Sequence, residues 1–216
     1  MEIEACGDDE SEHRQARLAA QHVASEIISG NLKPGAEIQA IDLSVRGRFS
    51  VRATLEGLPR LLATSLVTEE GSVFRVSEQS ADDFADLTHT RFLLEGVALR
   101  DSITNGNVEW ERSVAAGLQE LIAVSGQARL FHEVIDTHKR FHQALTSASR
   151  LRRVRAFLDG IYDQWAWYSA ARDGDSFGDT SGLRSLVDAV LARDIEAASE
   201  QLRLLLFNAV NTNRTL

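Results

Sequence analysis

A chain of 216 residues spans about one and a half typical domains, enough to bury a core and to divide into two parts. With 44% hydrophobic and 25% charged residues it is neither disordered nor fibrous, and no apolar run approaches the ~18 residues of a membrane span. A net charge of −9 excludes a protein that coats nucleic acid indiscriminately, and the single cysteine, Cys6, excludes an internal disulfide.

The first thirty residues carry no basic start followed by an apolar stretch, so a cytoplasmic protein without a membrane partner is expected. Of the 23 basic residues only Lys33 and Lys139 are lysine, a bias suggesting a GC-rich bacterial genome. Residues 1–14 hold six acids against Arg14 and read as a disordered acidic tail. Residues 15–80 are charge-balanced.

Leu18, His22, Val23, Ile27 and Ile28 recur at helical spacing and Gly30 supplies a stop, predicting a first amphipathic helix over 15–29. A turn at Asn31–Gly35 leads to short helices over 40–47 and 50–62, the second opening on Ser50 as N-cap. Val67, Val73, Phe74 and Val76 around Glu69-Glu70-Gly71 predict a small hairpin with the two glutamates in its turn. Three helices and a hairpin within about 60 residues follow the order of a winged helix-turn-helix. Helical periodicity then predicts a helix opening at Asp82-Asp83 and further helices at 108–124, 129–148, 151–171, 181–192 and 194–212. The expected fold is mostly α: a winged helix-turn-helix domain over 15–78 and an all-α bundle over 79–216.

Gly30-Asn31-Leu32-Lys33-Pro34-Gly35, Leu43-Ser44, Phe49-Ser50, Leu58-Pro59-Arg60-Leu61 and Leu66-Val67 resemble the winged helix of GntR-type bacterial transcription regulators. Arg91-Phe92-Leu93-Leu94-Glu95, Phe141-His142-Gln143-Ala144-Leu145 and the stretch Leu186–Ala198 resemble the FCD effector domain of their FadR subfamily. The resemblance covers about residues 15–210. It implies a homodimeric, ligand-responsive regulator.

Departures from the family pattern bear on function. Val51 and Leu55 stand where the family carries arginines that approach DNA, while Arg52 lies one place later. Arg46, Arg48, Ser50, Arg52 and Arg60 are the candidate DNA contacts, in a stretch at +3 after Glu56 is subtracted. The alternative is that these arginines form a solvated face. Gly57 and Pro59 weaken the recognition helix, and the acidic wing repels phosphate.

In many relatives the effector domain holds a metal through an aspartate, a histidine four residues on, and two later histidines. Here the resemblance puts His138 at the aspartate position and retains His142, while Leu183 and Leu205 stand at the later positions. No metal and no cofactor is therefore expected. Arg91 is the candidate carboxylate-binding cation, joined by His138, His142, Trp165 and Arg172; Tyr168 and Trp167 share the aromatic stretch. Trp165, Tyr168 and His138 could equally be core. His132 and Asp136 are expected to face solvent.

No nucleotide-binding or hydrolase motif is present, and an enzyme is not the favoured reading. Two functions stay open at this point. One is a regulator that binds a small organic acid or related metabolite in a metal-free helical pocket. The other is a former regulator recruited as an enzyme or small-molecule-binding protein, with His138, His142 and Arg91 as its only candidates for chemistry.

Overall fold

The computed structural model describes residues 4–125, 131–170 and 180–211, which form two compact units, Met1–Gln79 and Ser80–Leu216. Unit 1 contains α1 (Glu4–Ile28), α2 (Ala40–Gly47), α3 (Val51–Leu62) and an antiparallel hairpin of β1 (Val67–Glu70) and β2 (Val73–Val76). Ala16, Ala19, Ala20, Val23 and Ile27 bury one face of α1, and Leu43, Leu58, Leu61, Leu66 and Val76 complete the core. Gly30, at φ +74°, ends the helix, its N–H donating to the Ile27 carbonyl.

Gly57 marks the closest approach of α3 to α1. A Cβ there would lie 2.7 Å from the Ala16 carbonyl oxygen and 3.0 Å from the Ala20 nitrogen. The helix penalty of this glycine is the condition for packing α3 against α1 rather than a sign of a failing helix. Pro59 lies on the exposed side of α3, where the carbonyl deprived of its N–H partner, that of exposed Leu55, faces solvent. Arg48 takes a left-handed conformation at the end of α2, and the Ser50 hydroxyl accepts a hydrogen bond from the Ala53 N–H at 3.0 Å, so the helix-turn-helix corner is capped on both sides. The segment before α2 joins the hairpin edge through Ile38 N–H to the Phe74 carbonyl at 2.8 Å.

Two expectations are corrected here. Residues 4–14 are not a disordered tail but the first turns of α1: once the Ala16–Ile27 face is packed, a helix extends upstream without a second nucleation cost, and Glu12 is held by Arg52 at 3.0 Å. The hairpin turn is Gly71-Ser72, with Gly71 at φ +66°, so Glu69 and Glu70 end β1 instead of forming the tip.

Unit 2 is all helical among the described residues: α4 (Ala81–Asn105), α5 (Val108–Ser125), α6 (Phe131–Thr146), α7 (Arg152–Ala170), α8 (Ser181–Leu191) and α9 (Ile195–Asn211). Ser80 caps α4, accepting from the Asp83 N–H, and Asp82 and Asp83 complement the helix dipole. Leu99, Trp110, Val114, Phe141, Leu186 and Leu202 anchor one core shared by α4, α5, α6, α8 and α9. Helix α7 packs against α4 through Leu158 and Tyr162. The Arg193 guanidinium binds the Gly106 carbonyl at 2.9 Å and lies 5.2 Å from the Trp110 ring centre, fastening the α8–α9 corner to the α4–α5 corner. Among the described residues no helix is long and apolar enough to cross a membrane.

The α1–α3 crossing gives a direct test. Gly57→Ala forces backbone against backbone and is expected to destabilise unit 1 by about 1–3 kcal/mol, read from urea unfolding of the full chain.

Candidate functional site

Helices α4, α6 and α7 bring together what the sequence spreads over 75 residues. Arg91 and Glu95 lie one turn apart on α4, and both are fully buried. The Arg91 Nε donates to Glu95 Oε2 at 2.9 Å, and His142 Nδ1, from α6, donates to Glu95 Oε1 at 2.5 Å. Glu95 thus spends one oxygen on each neighbour.

The other side of the arginine is aromatic. Its guanidinium carbon lies 5.0 Å from the Tyr162 ring centre and 4.7 Å from that of Trp165, both on α7. His138 stacks on Trp165 with ring centres 4.8 Å apart and planes 10° from parallel, and its centre is 4.5 Å from that of His142. Nη1 and Nη2 of Arg91 are buried and donate to no hydrogen-bond partner among the described residues. A cation with two unused donors is therefore held between two rings.

Charge in the site follows from its one permanent ion. Burial would raise the Glu95 carboxyl, yet His142 and Arg91 together outweigh that and hold it down to about 2. Arg91 is the partner that cannot titrate away. Burial lowers both imidazoles, that of His138 well below the usual histidine range, with the Arg91 charge adding to the effect and Glu95 opposing it at His142. Near neutral pH the site holds an arginine cation, a glutamate anion and two neutral histidines.

Of the expected residues, Arg91, His138, His142 and Trp165 converge here, while Arg172 lies outside the described residues. Asp136 is exposed, as expected, and the His132 side chain is outside the described set. Glu95 and Tyr162 complete the site beyond the residues expected from the sequence. The i,i+4 spacing of Arg91 and Glu95 and the i,i+3 spacing of Tyr162 and Trp165 are the available signal. Leu183 and Leu205 belong to the apolar packing of α8 and α9. The residues do not fit a metal: His142 Nδ1 is committed to Glu95, Arg91 places a cation beside both histidines, and no group of three ligating side chains occurs among the described residues.

The DNA candidates sit in unit 1. Arg46 pairs with Glu26 of α1 at 2.7 Å, and Arg52 pairs with Glu56 at 2.8 Å and with Glu12 of α1 at 3.0 Å. Arg48 and Arg60 are exposed and make no ion pair among the described residues, while Ser50 is spent on its cap. Much of the +3 in this stretch is thus balanced by carboxylates from α1. Val51 and Leu55 are exposed on α3.

The depressed histidines set an acid limit on stability. Their folded values lie below the unfolded one, so stability is complete above the unfolded value of about 6.5 and falls as pH drops through it. Glu95 adds a second loss below 4.5 as pH falls toward 2. Between pH 7 and 5 the unfolding free energy should fall by up to ~1.4 kcal/mol per pH unit per histidine, and His138→Gln should flatten the slope in denaturant titrations.

Comparison with known proteins assigns the family. The FCD domain matches residues 86–208. An uncharacterized HTH-type transcriptional regulator, BphR of Paraburkholderia xenovorans strain LB400, is 31% identical over 203 residues, 90% of this chain and 83% of its own. Among solved structures, McbR/YncC of E. coli matches 92% of this chain and 96% of its own with a TM-score of 0.80 at 16% identity. A GntR regulator from Rhodococcus sp. RHA1 matches 92% and 96% with a TM-score of 0.71 at 23% identity. The winged helix-turn-helix of unit 1, the helical unit 2 and these matches together place the chain in the GntR/FadR family of transcription regulators, with an FCD effector domain.

Proposed function

We propose that unit 2 binds a small organic acid through Arg91 and that this ligand controls operator binding by unit 1. The carrying observation is the pair of buried, unpartnered donors Nη1 and Nη2 on Arg91. Buried donors on a charged group cost several kcal/mol together when unpaired, and a guanidinium presents them as a planar fork that fits a carboxylate bidentately. Trp165 and Tyr162 supply the walls that remove water from such a ligand. Glu95 fixes the direction of the fork by holding Nε.

Operator binding rests on two copies of unit 1 meeting a two-fold site, as the docking of helix-turn-helix dimers requires. Arg48, Arg52 and Arg60 supply phosphate contacts, and the α1 carboxylates compete with DNA for Arg52 and Arg46. The exposed Val51 and Leu55 leave thymine methyl groups and DNA shape as what α3 reads directly.

Binding of fragments from the upstream region of the gene, followed by gel shift at about 50–200 mM salt, checks the DNA half. Arg52→Glu is expected to abolish the complex, whereas Glu12→Gln should tighten it several-fold by releasing Arg52. A wild-type chain that binds no fragment at the lowest salt would contradict the reading. Light scattering should give twice the mass of one chain.

A thermal-shift screen of organic acids checks the ligand half. A stabilising acid should lose its effect in Arg91→Lys, which keeps the charge and loses the fork, and the matching amide should stabilise neither protein. Stabilisation that survives Arg91→Lys and Trp165→Leu would place the ligand elsewhere.

A further inference from the structure

The α6–α7 corner carries a charge pattern that the Arg91 site does not use. Residues 150–155 read Arg-Leu-Arg-Arg-Val-Arg, and α7 begins at Arg152 with no acid in its first turn. Cations at the start of a helix face the positive end of its dipole, so this arrangement is unfavourable as it stands. The same corner opens a cleft of about 650 Å³ between α5, α6 and α7, walled by Arg140, Gln143, Arg152, Arg155, Asp159 and Tyr162. That volume suits a small ligand.

The cations in it are under-used. Among the described residues Arg152 makes no ion pair, and Arg155 has only a long 3.5 Å contact to the Ser149 carbonyl. Arg140 is shared with Glu120 and Thr137. Tyr162, which also lines the cleft, is 3% exposed, and its hydroxyl lies beside Thr146 and Glu95.

We propose that this cleft is a second binding site, for a small phosphate ester that also carries hydroxyl groups. Guanidinium groups reach it from two helices, and a phosphate has enough oxygens to engage several forks where a carboxylate is saturated by one. The helix N-terminus adds to the attraction. Asp159 and Gln143, joined at 2.8 Å, give the cleft a carboxylate that repels a purely anionic ligand and accepts from a hydroxyl. Tyr162 belongs to both sites, lining the cleft while its ring lies beneath Arg91, so occupancy of one is linked to the other.

Titration calorimetry of the full chain at ~150 mM salt with pyrophosphate, ribose 5-phosphate and ribose tests this. Both phosphates should bind saturably and ribose should not. The double variant Arg152→Gln, Arg155→Gln should weaken both at least ten-fold. Asp159→Asn should weaken ribose 5-phosphate relative to pyrophosphate. The double variant should also raise the ligand-free Tm, since the dipole clash is relieved, which shows that it folds. The proposal is overturned by phosphates that give no saturable heat, by binding that survives the double variant, or by binding lost in Arg91→Lys instead. Equal use of the two phosphates in wild type and Asp159→Asn overturns the hydroxyl part. A double variant that loses operator affinity in a chain that binds no phosphate makes the cluster a nucleic-acid contact instead.

Discussion

The Arg91–Glu95 ion pair is the constraint on which unit 2 depends. Two charges on one turn of α4, both out of water, are tolerated because each is hydrogen-bonded and the carboxylate has a second partner in His142. Removing Glu95 would strand a buried guanidinium, a change that costs about 3–5 kcal/mol in comparable buried pairs. The pair therefore ties α4 to α6, while the two rings over Arg91 tie α4 to α7. An arginine suits this position because its own charge cannot be titrated away, and because Nε can be spent on structure while the Nη donors stay available.

With a fixed cation already in the cavity, two neutral histidines are stable beside it, and a divalent ion would add repulsion. The leucines at 183 and 205 extend the apolar packing of α8 and α9, so the bundle is closed by hydrophobic contact on that side. In unit 1 the same economy of charge recurs. Two of the arginines in the regulator reading, Arg46 and Arg52, are balanced by α1 carboxylates, and the helix that carries those carboxylates is held against α3 by the glycine at its crossing. An acidic protein can bind an acidic polymer this way, because phosphate replaces carboxylate on the same cations.

Helix positions were legible because apolar residues recur with the helical period, and Ser50 announces its helix as a cap. The inward placement of Arg91, His138 and His142 was legible from family motifs. What the sequence could not reveal lies in tertiary contacts. Gly57 and Pro59 read as defects because nothing local shows that one meets α1 and the other faces solvent. Residues 1–14 read as a tail because composition does not register a helix propagating from a packed face downstream. Glu95 was visible as a motif letter, but its role needed His142, 47 residues away, to arrive at its second oxygen.

The central claim is that the free donors of Arg91 receive a carboxylate, and side-chain nitrogen NMR tests it most directly. With arginine labelled at nitrogen, one Nη signal absent from Arg91→Lys should shift saturably as a series of monocarboxylates from acetate to benzoate is added. The corresponding amides should leave it in place. An Arg91 signal that no carboxylate moves, or that amides move equally, would contradict the account.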